Sequence, residues 1–278
     1  MTVPLASAGA RRRQGGAVTL ASAALLLISL LTWRSSPTTP PARAEVWVAT
    51  AGTIEAIAKL NPNVADGIFR APNAYALGGW GSSVPTMAWA SEAVFAADVR
   101  AGAIPSSVRA VMYDPENWPS TPVAEQRDPG TSMRAFANLA RRHGYYVIIT
   151  PHPSLTAASG AVCAQRQWET AQRAYVRCGI VAKAARFADA VETQAQGLEA
   201  DPAAYRSFVA ATVEQARAAN PKVVMLSGLS TAFATRPSQL FAAWLSVNDL
   251  VDGHYLAIPN RVRPEVAVGF LEMLTLPG

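Results

Sequence analysis

The sequence predicts an α/β fold, a single (β/α)8 or TIM barrel over residues 45–278, preceded by an export segment in residues 1–44. Strand-like and helix-like segments alternate from Ser91 onward, and parallel strands need such crossover connections. Polar side chains follow at least four predicted strands, and a barrel gathers the carboxyl ends of its strands at one face. An open nucleotide-binding sheet is disfavoured because the sequence has no glycine-rich dinucleotide fingerprint and no Walker loop.

Residues 1–44 are organised like an export signal. Arg11–Arg13 form a charged start, Ala17–Leu31 is an uncharged run, and Ala42–Ala44 offers a cleavage site. The run is short for a membrane-spanning helix, which needs about 20 apolar residues, but its distance from Ala44 is long for a signal peptide. A cleaved signal and an uncleaved anchor with a Pro/Ser/Thr-rich stalk both stay open. Either predicts an extracellular or cell-surface protein that contacts membrane only through this segment.

The net positive charge of the chain belongs to the same segment. The whole sequence has 24 basic and 19 acidic residues and a formal charge of +5. Five arginines and no acid fall in residues 1–44, so 19 basic residues balance the 19 acidic residues of the remainder. A nucleic-acid surface needs a basic stripe in the folded domain. We therefore expect no nucleic-acid partner, and we expect a monomer.

The first part of the barrel, Val46–Ser83, has the least regular pattern. Val46–Ala49 predicts a first strand, and Pro72–Gly81 predicts a loop rich in glycine and aromatic residues. Tyr75 and Trp80 in this loop are candidate ligand contacts, and a loop whose aromatics only plug the barrel edge fits equally well. Six strands are clear in the sequence as a whole. The other two strands of an eight-stranded barrel are therefore assigned to this part. Whether the barrel is complete and regular there stays open.

The later elements carry their own start and stop signals. Ser91 is a good N-cap, and Gly102 ends the helix that follows it. Ser227-Gly228 is predicted to close the second-last strand. The predicted strands are Val108–Tyr113, Tyr145–Thr150, Phe187–Gln196, Lys222–Leu226 and Leu250–Ile258. The further predicted helices are Ser132–His143, Pro202–Ala219, Pro237–Val247 and Pro264–Leu274.

Cys163 and Cys178 are the two cysteines of the chain. An exported chain meets oxidising conditions, which favours a disulfide between them over two unrelated buried thiols. A loop of about 15 residues closed in this way would stabilise the fold by ~3 kcal/mol. Two cysteines without a nearby histidine pair do not make a zinc site, so the sequence predicts no metal, and it has no signature of an organic cofactor.

The strongest candidate site follows the strand Val108–Tyr113, where Asp114, Glu116, Asn117 and Trp118 come after the apolar run. The two acids are two residues apart, and strand side chains alternate between faces, so both carboxylates can project the same way. The alternative is that the acids cap the next helix or pair with arginines at the rim.

Other predicted strand ends carry polar side chains as well. These candidates are, in chain order, His152, Glu192, Gln194, Gln196, His254 and Tyr255. Glu192, Gln194 and Gln196 share one parity, so all three can line one cavity, with Glu192 as a third catalytic candidate. Structural roles compete in each case, because buried glutamines tie down backbone groups and a histidine within a strand is commonly a core residue.

Carboxylates beside amide, imidazole and aromatic groups suit the hydrolysis of a glycosidic bond. One acid must hold a proton for the leaving oxygen while the other stays ionised as base or nucleophile. Aromatic rings offer flat faces to sugar rings, and the amides and imidazoles bond the hydroxyl groups. Because same-face strand neighbours lie ~6.6–7 Å apart at the backbone and their side chains rotate, the stereochemistry stays open. The expected ligand is a polysaccharide or cell-wall glycan.

The strand end Asp114-Pro115-Glu116 resembles the D-x-E strand end of several barrel glycoside hydrolases, including chitinase-like and lysozyme-like families. In chitinase-like enzymes the glutamate is the proton donor and the aspartate assists it. The resemblance thus implies Glu116 as the acid and Asp114 as its partner. The phrases Y-D-P-E-N-W, Q-A-Q-G-L-E and G-L-S-T are similar to those of uncharacterised secreted actinobacterial proteins with a TIM-barrel, glycoside-hydrolase-like domain, a resemblance that implies no particular activity.

The sequence disfavours two other classes of hydrolase and leaves two non-catalytic functions open. A serine hydrolase needs a G-x-S-x-G turn, and Leu226–Ser230 lacks the first glycine. Metal-dependent hydrolysis is disfavoured because the histidines are scattered and no H-E-x-x-H motif occurs. A secreted barrel that binds a glycan without cleaving it, or a structural envelope protein, would use the same fold. Both non-catalytic functions stay open at this point.

Overall fold

A computed structural model describes residues 45–275, which form a closed barrel of eight parallel strands surrounded by helices. Each strand pairs with its neighbours in chain order, and β8 pairs with β1 to close the ring. The strands are β1 Val46–Thr50, β2 Ala74–Leu77, β3 Val84–Trp89, β4 Ala110–Tyr113, β5 Tyr146–Ile149, β6 Ala190–Thr193, β7 Val224–Ser230 and β8 Gly253–Ala257. The predicted (β/α)8 fold is confirmed.

Helices cover the outside of the barrel and provide the crossovers that parallel strands require. They are α1 Ala51–Leu60, α2 Pro62–Ile68, α3 Glu92–Ala101, α4 Val123–Arg127, α5 Pro129–Arg142, α6 Ala171–Arg177, α7 Ile180–Ala185, α8 Pro202–Ala219, α9 Pro237–Val247 and α10 Pro264–Thr275. Within residues 45–275, none of these helices has the length and apolar character needed to cross a membrane. The predicted export or anchor segment, residues 1–44, lies outside the described residues.

Of the two further strands assigned to Val46–Ser83, only β2 lies there, and β3 follows directly after it at Val84–Trp89. The prediction of a loop over Pro72–Gly81 was wrong, because β2 lies inside it. Ala74 and Ala76 of β2 pack under the helices, and Tyr75 and Leu77 face the barrel interior. Two alanines on the outer face give little of the β-branched and aromatic signal by which strands are recognised.

Several predicted boundaries also shift. Helix α5 begins at Pro129 rather than Ser132, because Asp128 accepts a hydrogen bond from the Thr131 backbone N–H at 3.3 Å and so caps the helix. Ser227-Gly228 does not close the seventh strand, which continues to Ser230 because it pairs with β8 over that whole length. The predicted strands Phe187–Gln196 and Leu250–Ile258 shorten to β6 and β8.

The side chains of the strands divide between two layers with the period of two that a strand imposes. One parity fills the barrel interior with Val48, Met112, Ile148, Ala190 and Leu226, all at most 2% exposed. The other parity packs against the helices in a much larger apolar layer. Because the interior parity continues past the strand ends, it decides which polar side chains can reach the mouth of the barrel.

The seam between β1 and β8 is held by groups of both strands and of α9. Gly253 stands opposite Val46, and a Cβ atom at position 253 would meet backbone atoms of Val46, with the carbonyl carbon at 2.6 Å. Glu45 accepts a hydrogen bond from Trp244 Nε1 at 2.7 Å and lies 3.0 Å from His254 Nε2. Burial raises the pKa of Glu45, but its hydrogen bonds, with His254 foremost, outweigh this and lower it.

Cys163 and Cys178 form the predicted disulfide, with their Cα atoms 5.8 Å apart. The bond connects the segment after β5 to the end of α6. Inside the loop that it closes, Arg177 donates to Glu169 from Nε at 2.9 Å and from Nη2 at 2.8 Å. This two-pronged contact fixes the loop from within.

Candidate active site

A cavity of about 290 Å³ opens at the carboxyl end of the barrel strands. The strands β4 to β8 and the loops after them supply its walls, as expected for the functional face of such a barrel. The lining residues are Met112, Asp114, Glu116, Thr150, His152, Glu192, Gln194, Gln196, Ser230, Phe233, Tyr255, Ala257 and Pro259.

Interior parity explains which side chains enter the cavity. Met112 faces the barrel interior on β4, and Asp114 and Glu116 follow it at steps of two. Ile148 on β5 and Ala190 on β6 face the same interior. Steps of two from them reach the remaining polar side chains of these strand ends, Thr150, His152, Glu192, Gln194 and Gln196.

Asp114 connects three neighbouring strand ends. Its Oδ1 accepts hydrogen bonds from Thr150 Oγ1 at 2.7 Å and from Gln194 Nε2 at 2.9 Å. The Gln194 amide also donates to the Thr150 carbonyl at 2.6 Å, which fixes the orientation of the glutamine. Burial raises the pKa of Asp114, and the two hydrogen bonds oppose that effect. Asp114 is therefore the carboxyl of the cavity with the most donors to support a negative charge.

Glu192 lies deepest and is 2% exposed. Its Oε1 accepts a hydrogen bond from Gln196 Nε2 at 2.9 Å, and among residues 45–275 its second oxygen has no hydrogen-bond partner. Gly228 on β7 makes room for this pair, since a Cβ atom there would overlap both Glu192 Oε1 and the Gln196 amide. Burial, followed by the charge of Asp114, raises the pKa of Glu192 to about 8. Glu192 is therefore mainly protonated at neutral pH.

Glu116 lies nearer the mouth of the cavity and is only partly buried. Its backbone N–H is bonded to Thr121 Oγ1 at 3.1 Å, whereas its carboxyl group has no hydrogen bond to any residue that the structure describes. Burial, and then the negative charge of Asp114, raises the pKa of Glu116 to about 7. Glu116 can therefore carry or release a proton close to neutral pH.

His152 and Tyr255 add hydrogen-bonding groups to the wall. The Nδ1 atom of His152 accepts from the Ser154 backbone N–H at 3.0 Å, so the neutral ring carries its proton on Nε2. Burial lowers the pKa of His152, which favours this neutral form. Burial and the nearby carboxyls, with Glu192 first among them, raise the pKa of Tyr255, so its hydroxyl keeps its proton.

Phe233 provides an apolar surface at the rim. It follows β7, lines the cavity and is 58% exposed. Its ring lies beside Gly197, where a Cβ atom would come within 3.9 Å of Phe233. An exposed aromatic ring beside carboxyl and amide groups is the combination that a sugar-binding site uses, because the ring offers a flat apolar face.

Five of the residues proposed from the sequence lie outside the lining of the cavity. Trp118 is 40% exposed and donates from Nε1 to Thr121 Oγ1 at 2.9 Å, and Asn117 is exposed beside it. Tyr75 stacks on Tyr146, the first residue of β5, inside the barrel near the amino ends of the strands, with ring centroids 5.1 Å apart. Trp80 packs against the outer apolar layer.

His254 is the fifth of these residues and belongs to the layer between strands and helices. Its ring lies 5.4 Å from that of Trp47, and its Nδ1 atom is 2.8 Å from Ser227 Oγ. Its neighbour Tyr255 has the opposite parity and faces the cavity. The structure therefore gives His254 a place in the core rather than in the site.

Two further buried acids are structural. Glu125 accepts from Tyr113 Oη at 2.7 Å, from Ser91 Oγ at 2.9 Å and from the Glu92 backbone N–H at 2.8 Å, and so holds the start of α3. Glu199 accepts from the backbone N–H groups of Gly197 at 2.6 Å and Ser230 at 2.9 Å. The second carboxylate braces the loops after β6 and β7 beside the cavity.

No known protein-family model matches the sequence, and no curated protein is similar to it. Among solved structures, the carboxyl transferase domain of Rhizobium etli pyruvate carboxylase with 3-bromopyruvate is 12% identical over 78% of this chain and 40% of that chain, with a TM-score of 0.46. A protein classed as an α-L-fucosidase from Bacteroides thetaiotaomicron is 10% identical over 66% and 59%, with a TM-score of 0.42. Triosephosphate isomerase from Bartonella henselae is 14% identical over 82% and 99%, with a TM-score of 0.43.

The chain thus spans 40% of the carboxylase chain and 59% of the fucosidase chain. None of these likenesses reaches a TM-score of 0.5, so none of them indicates a function for this chain. Among residues 45–275, no group of three His, Cys, Asp or Glu side chains is arranged to hold a metal ion.

Six lining residues were not proposed from the sequence, namely Met112, Thr150, Ser230, Phe233, Ala257 and Pro259. Three of them, Thr150, Ser230 and Phe233, contribute a hydroxyl group or an aromatic ring. Thr150 was predicted as the end of a strand, although its distance of two residues from His152 would have placed it on the same face. Ser230 was missed because β7 was predicted to end before it. Phe233 lies in the loop after β7, and no periodic signal in the sequence indicates where a loop side chain points.

Proposed function

We propose that this protein hydrolyses a glycosidic bond of a polysaccharide or cell-wall glycan outside the cytoplasm, with Glu116 as the general acid. The observation that carries the proposal is the convergence of Asp114, Glu116 and Glu192, from β4 and β6, on one cavity lined by amide and hydroxyl groups. Glycoside hydrolysis needs one protonated and one ionised carboxyl beside the scissile bond. The disulfide is compatible with an extracellular location.

The position of Glu116 supports its role as the proton donor. A glycosidic leaving group continues toward solvent, so the acid that protonates it belongs on the mouth side of the cavity. Glu116 and Asp114 are both partly exposed, whereas Glu192 is 2% exposed. Of the two, Glu116 lies farther past the end of β4, and its carboxyl has no hydrogen bond to a described residue, whereas Asp114 is bonded to Thr150 and Gln194. A pKa of about 7 also lets Glu116 hold a proton at neutral pH and give it up during the reaction.

Asp114 is the best candidate for the ionised partner. Its carboxylate already accepts hydrogen bonds from Thr150 and Gln194, two neutral donors that support a negative charge. In the reaction Glu116 would pass its proton to the leaving oxygen as the glycosidic bond breaks, while Asp114 stabilises the positive charge that develops on the sugar ring. A water molecule would then add to the same sugar carbon and give up a proton, which restores the protonated carboxyl of Glu116. The amides of Gln194 and Gln196, the Nε2–H of His152 and the Tyr255 hydroxyl would bond the sugar hydroxyls, and Phe233 would stack on a ring.

The test is a polysaccharide panel scored both for binding and for release of reducing ends, with the wild-type chain and the Glu116→Gln variant. A hydrolase should lose about 10²- to 10⁴-fold in kcat on this change, because the proton donor is gone, and it should keep its ligand affinity. Glu214→Gln on the exposed face of α8 is the matched control and should behave as wild type. Wild-type turnover that survives Glu116→Gln would remove Glu116 from the reaction.

The pH profile supplies a second readout of the same proposal. The acid must be protonated before it can act, so kcat/KM should fall as the pH rises through about 7, the pKa of Glu116. Glu116→Gln should abolish this limb in whatever activity remains. A wild-type profile that is flat across neutral pH contradicts the assignment.

The competing function is a barrel that binds glycan without cleaving it. The observation in its favour is that the amides, the imidazole and Phe233 form a complete sugar-binding wall without any contribution from the acids. In the same panel such a protein would bind a glycan and release no reducing ends. The Glu116→Gln change would then alter neither glycan binding nor the release of reducing ends by more than the Glu214→Gln control does. A panel with no binding and no release would dismiss both functions.

A further inference from the structure

We infer that the sugar held in this cavity carries a free amino group, so that the substrate is a hexosamine-containing glycan lacking N-acetyl groups at the bound residue. The inference names the substrate class of the proposed hydrolase and rests on that proposed function. The described side chains that line the cavity include several acids and no permanently charged base. Three carboxyls line the cavity, while the lining contributed by the described residues contains no lysine and no arginine.

Hydrolysis itself accounts for two of the three carboxyls. Glu116 and Asp114 supply the proton donor and the ionised partner, which leaves Glu192 without a part in bond cleavage. A buried carboxyl is costly unless something on the protein or the ligand compensates it. Glu125 and Glu199, two of the buried acids outside the cavity, accept four and two hydrogen bonds respectively, with both oxygens of each engaged.

Glu192 differs from those structural acids in having one oxygen left over. Oε1 is bound to the Gln196 amide, but Oε2 has no partner among residues 45–275, although the side chain is 98% buried and belongs to the cavity wall. Gly228, which has no side chain, makes room for Glu192 Oε1 and the Gln196 amide, so that only Oε2 is left for a ligand. A ligand group that donates a hydrogen bond to Oε2 would give both oxygens of Glu192 a partner. A positively charged donor would make the strongest such bond.

The other titratable side chains of the wall agree with a cationic ligand. They are Asp114, Glu116, His152 and Tyr255, and none of them brings a positive charge near neutral pH, since burial keeps the His152 ring neutral. A uronic acid or another anionic sugar would meet only negative or neutral groups here. An ammonium group bonded to Glu192 Oε2 would lower the pKa of that carboxyl and so displace its proton.

The volume limits how much of the substrate the cavity holds. The cavity volume of about 290 Å³ lies just below the roughly 300–1,000 Å³ that small-molecule sites occupy. We therefore place a single sugar of the chain in the cavity, with its amino group toward Glu192 and its glycosidic oxygen toward Glu116. The rest of the glycan would extend past Phe233 at the rim.

Calorimetric titration of the full chain tests the inference with named probes, oligomers of glucosamine and of galactosamine and their fully N-acetylated counterparts. Near pH 6 an amine is charged and Glu192 is protonated. We expect the free-amine oligomers to bind at least about tenfold more tightly, with proton release seen as a binding enthalpy that depends on the buffer. The N-acetylated oligomers should release no protons.

Two variants separate recognition of charge from general loss of the site. Glu192→Gln keeps the shape and the bond from Gln196, and it should remove both the preference and the proton release. Phe233→Ala should weaken both classes of oligomer alike and leave the preference unchanged. Equal or tighter binding of the N-acetylated oligomers, no binding of either free-amine series, or a preference that survives Glu192→Gln would overturn the inference.

The outcomes also distinguish this inference from the proposed hydrolysis. If free-amine oligomers bind with proton release but no reducing ends appear, recognition of the amine stands and hydrolysis falls. If a neutral polysaccharide is cleaved in a Glu116-dependent way and no preference for amines is found, hydrolysis stands and this inference falls.

Discussion

The protonation of Glu192 should affect the stability of the fold. It is 2% exposed, and burial together with the charge of Asp114 raises its pKa from 4.5 to about 8. Below about pH 4.5 the side chain is neutral in the folded and unfolded states, so it costs nothing there. Between pH 4.5 and 8 the folded state must take up a proton, and stability is lost as the pH rises through this range.

Glu192→Gln removes that penalty, so the variant should gain stability relative to wild type as the pH rises. At about pH 5 the two proteins should unfold with similar free energies, and at about pH 8 the variant should be more stable by on the order of a few kcal/mol. Urea unfolding at both pH values measures the difference. The exposed Glu214→Gln change should show no such trend, and an equal effect of Glu192→Gln at both pH values contradicts the raised pKa.

For single residues, the sequence could predict which side chains of a strand share one face, because side chains alternate between the two faces. Asp114 with Glu116, and Glu192 with Gln194 and Gln196, were placed on common faces by counting in twos, and the cavity contains all five. Counting could not tell which face points inward, so Tyr255 and His254 were proposed together although they lie on opposite sides of β8. Loop side chains such as Phe233 follow no period at all.

At the scale of secondary-structure elements, the strand β7 shapes the cavity through the absence of a side chain. Gly228 lies directly against the Glu192 carboxyl, which comes from the neighbouring strand β6, and against the Gln196 amide. The backbone conformation does not require glycine at this position, because Gly228 is not among the glycines with a positive φ angle. The glycine is therefore explained by the space that the two side chains occupy.

Gly228→Ala should consequently damage the site more than the fold. The new methyl group would displace Glu192 and Gln196, so we expect ligand binding and turnover to drop by at least about tenfold, with a stability loss of about 1–3 kcal/mol. Glycan binding and thermal unfolding measure the two effects. Gly67→Ala on α2, where a Cβ atom meets nothing within 4 Å, is the control and should keep full binding.

Element boundaries show where sequence reasoning reached its limit. The fold class was predictable because β4, β5 and β6 are bounded by recognisable caps and apolar runs. β2 was missed because four residues, two of them alanine, carry little strand signal. The predicted end of β7 at Ser227-Gly228 was too early, because a glycine in a strand pattern suggests the end of the strand. The side chains that explain this glycine, Glu192 and Gln196, lie more than about 30 residues away in sequence, so no local pattern indicates them.

The whole barrel depends on the contact between its first and last strands, which are the most distant in sequence. Closure brings Gly253 of β8 against the backbone of Val46, and Glu45 against Trp244 and His254. These groups come from opposite ends of the described chain, so no local pattern predicts their contact. A closed ring has no free strand edge, and every strand is then buried between two neighbours.

Gly253→Ala tests the seam, and its outcome should differ from that of Gly228→Ala. At position 228 the added methyl group meets the ends of two side chains, which can move, whereas at position 253 it meets main-chain atoms of Val46, which are fixed by pairing on both sides of β1. We therefore expect a loss of more than about 3 kcal/mol in unfolding free energy, measured by urea unfolding, and little soluble protein. A soluble Gly253→Ala variant with wild-type stability would mean that β1 and β8 do not approach each other as closely as this barrel requires.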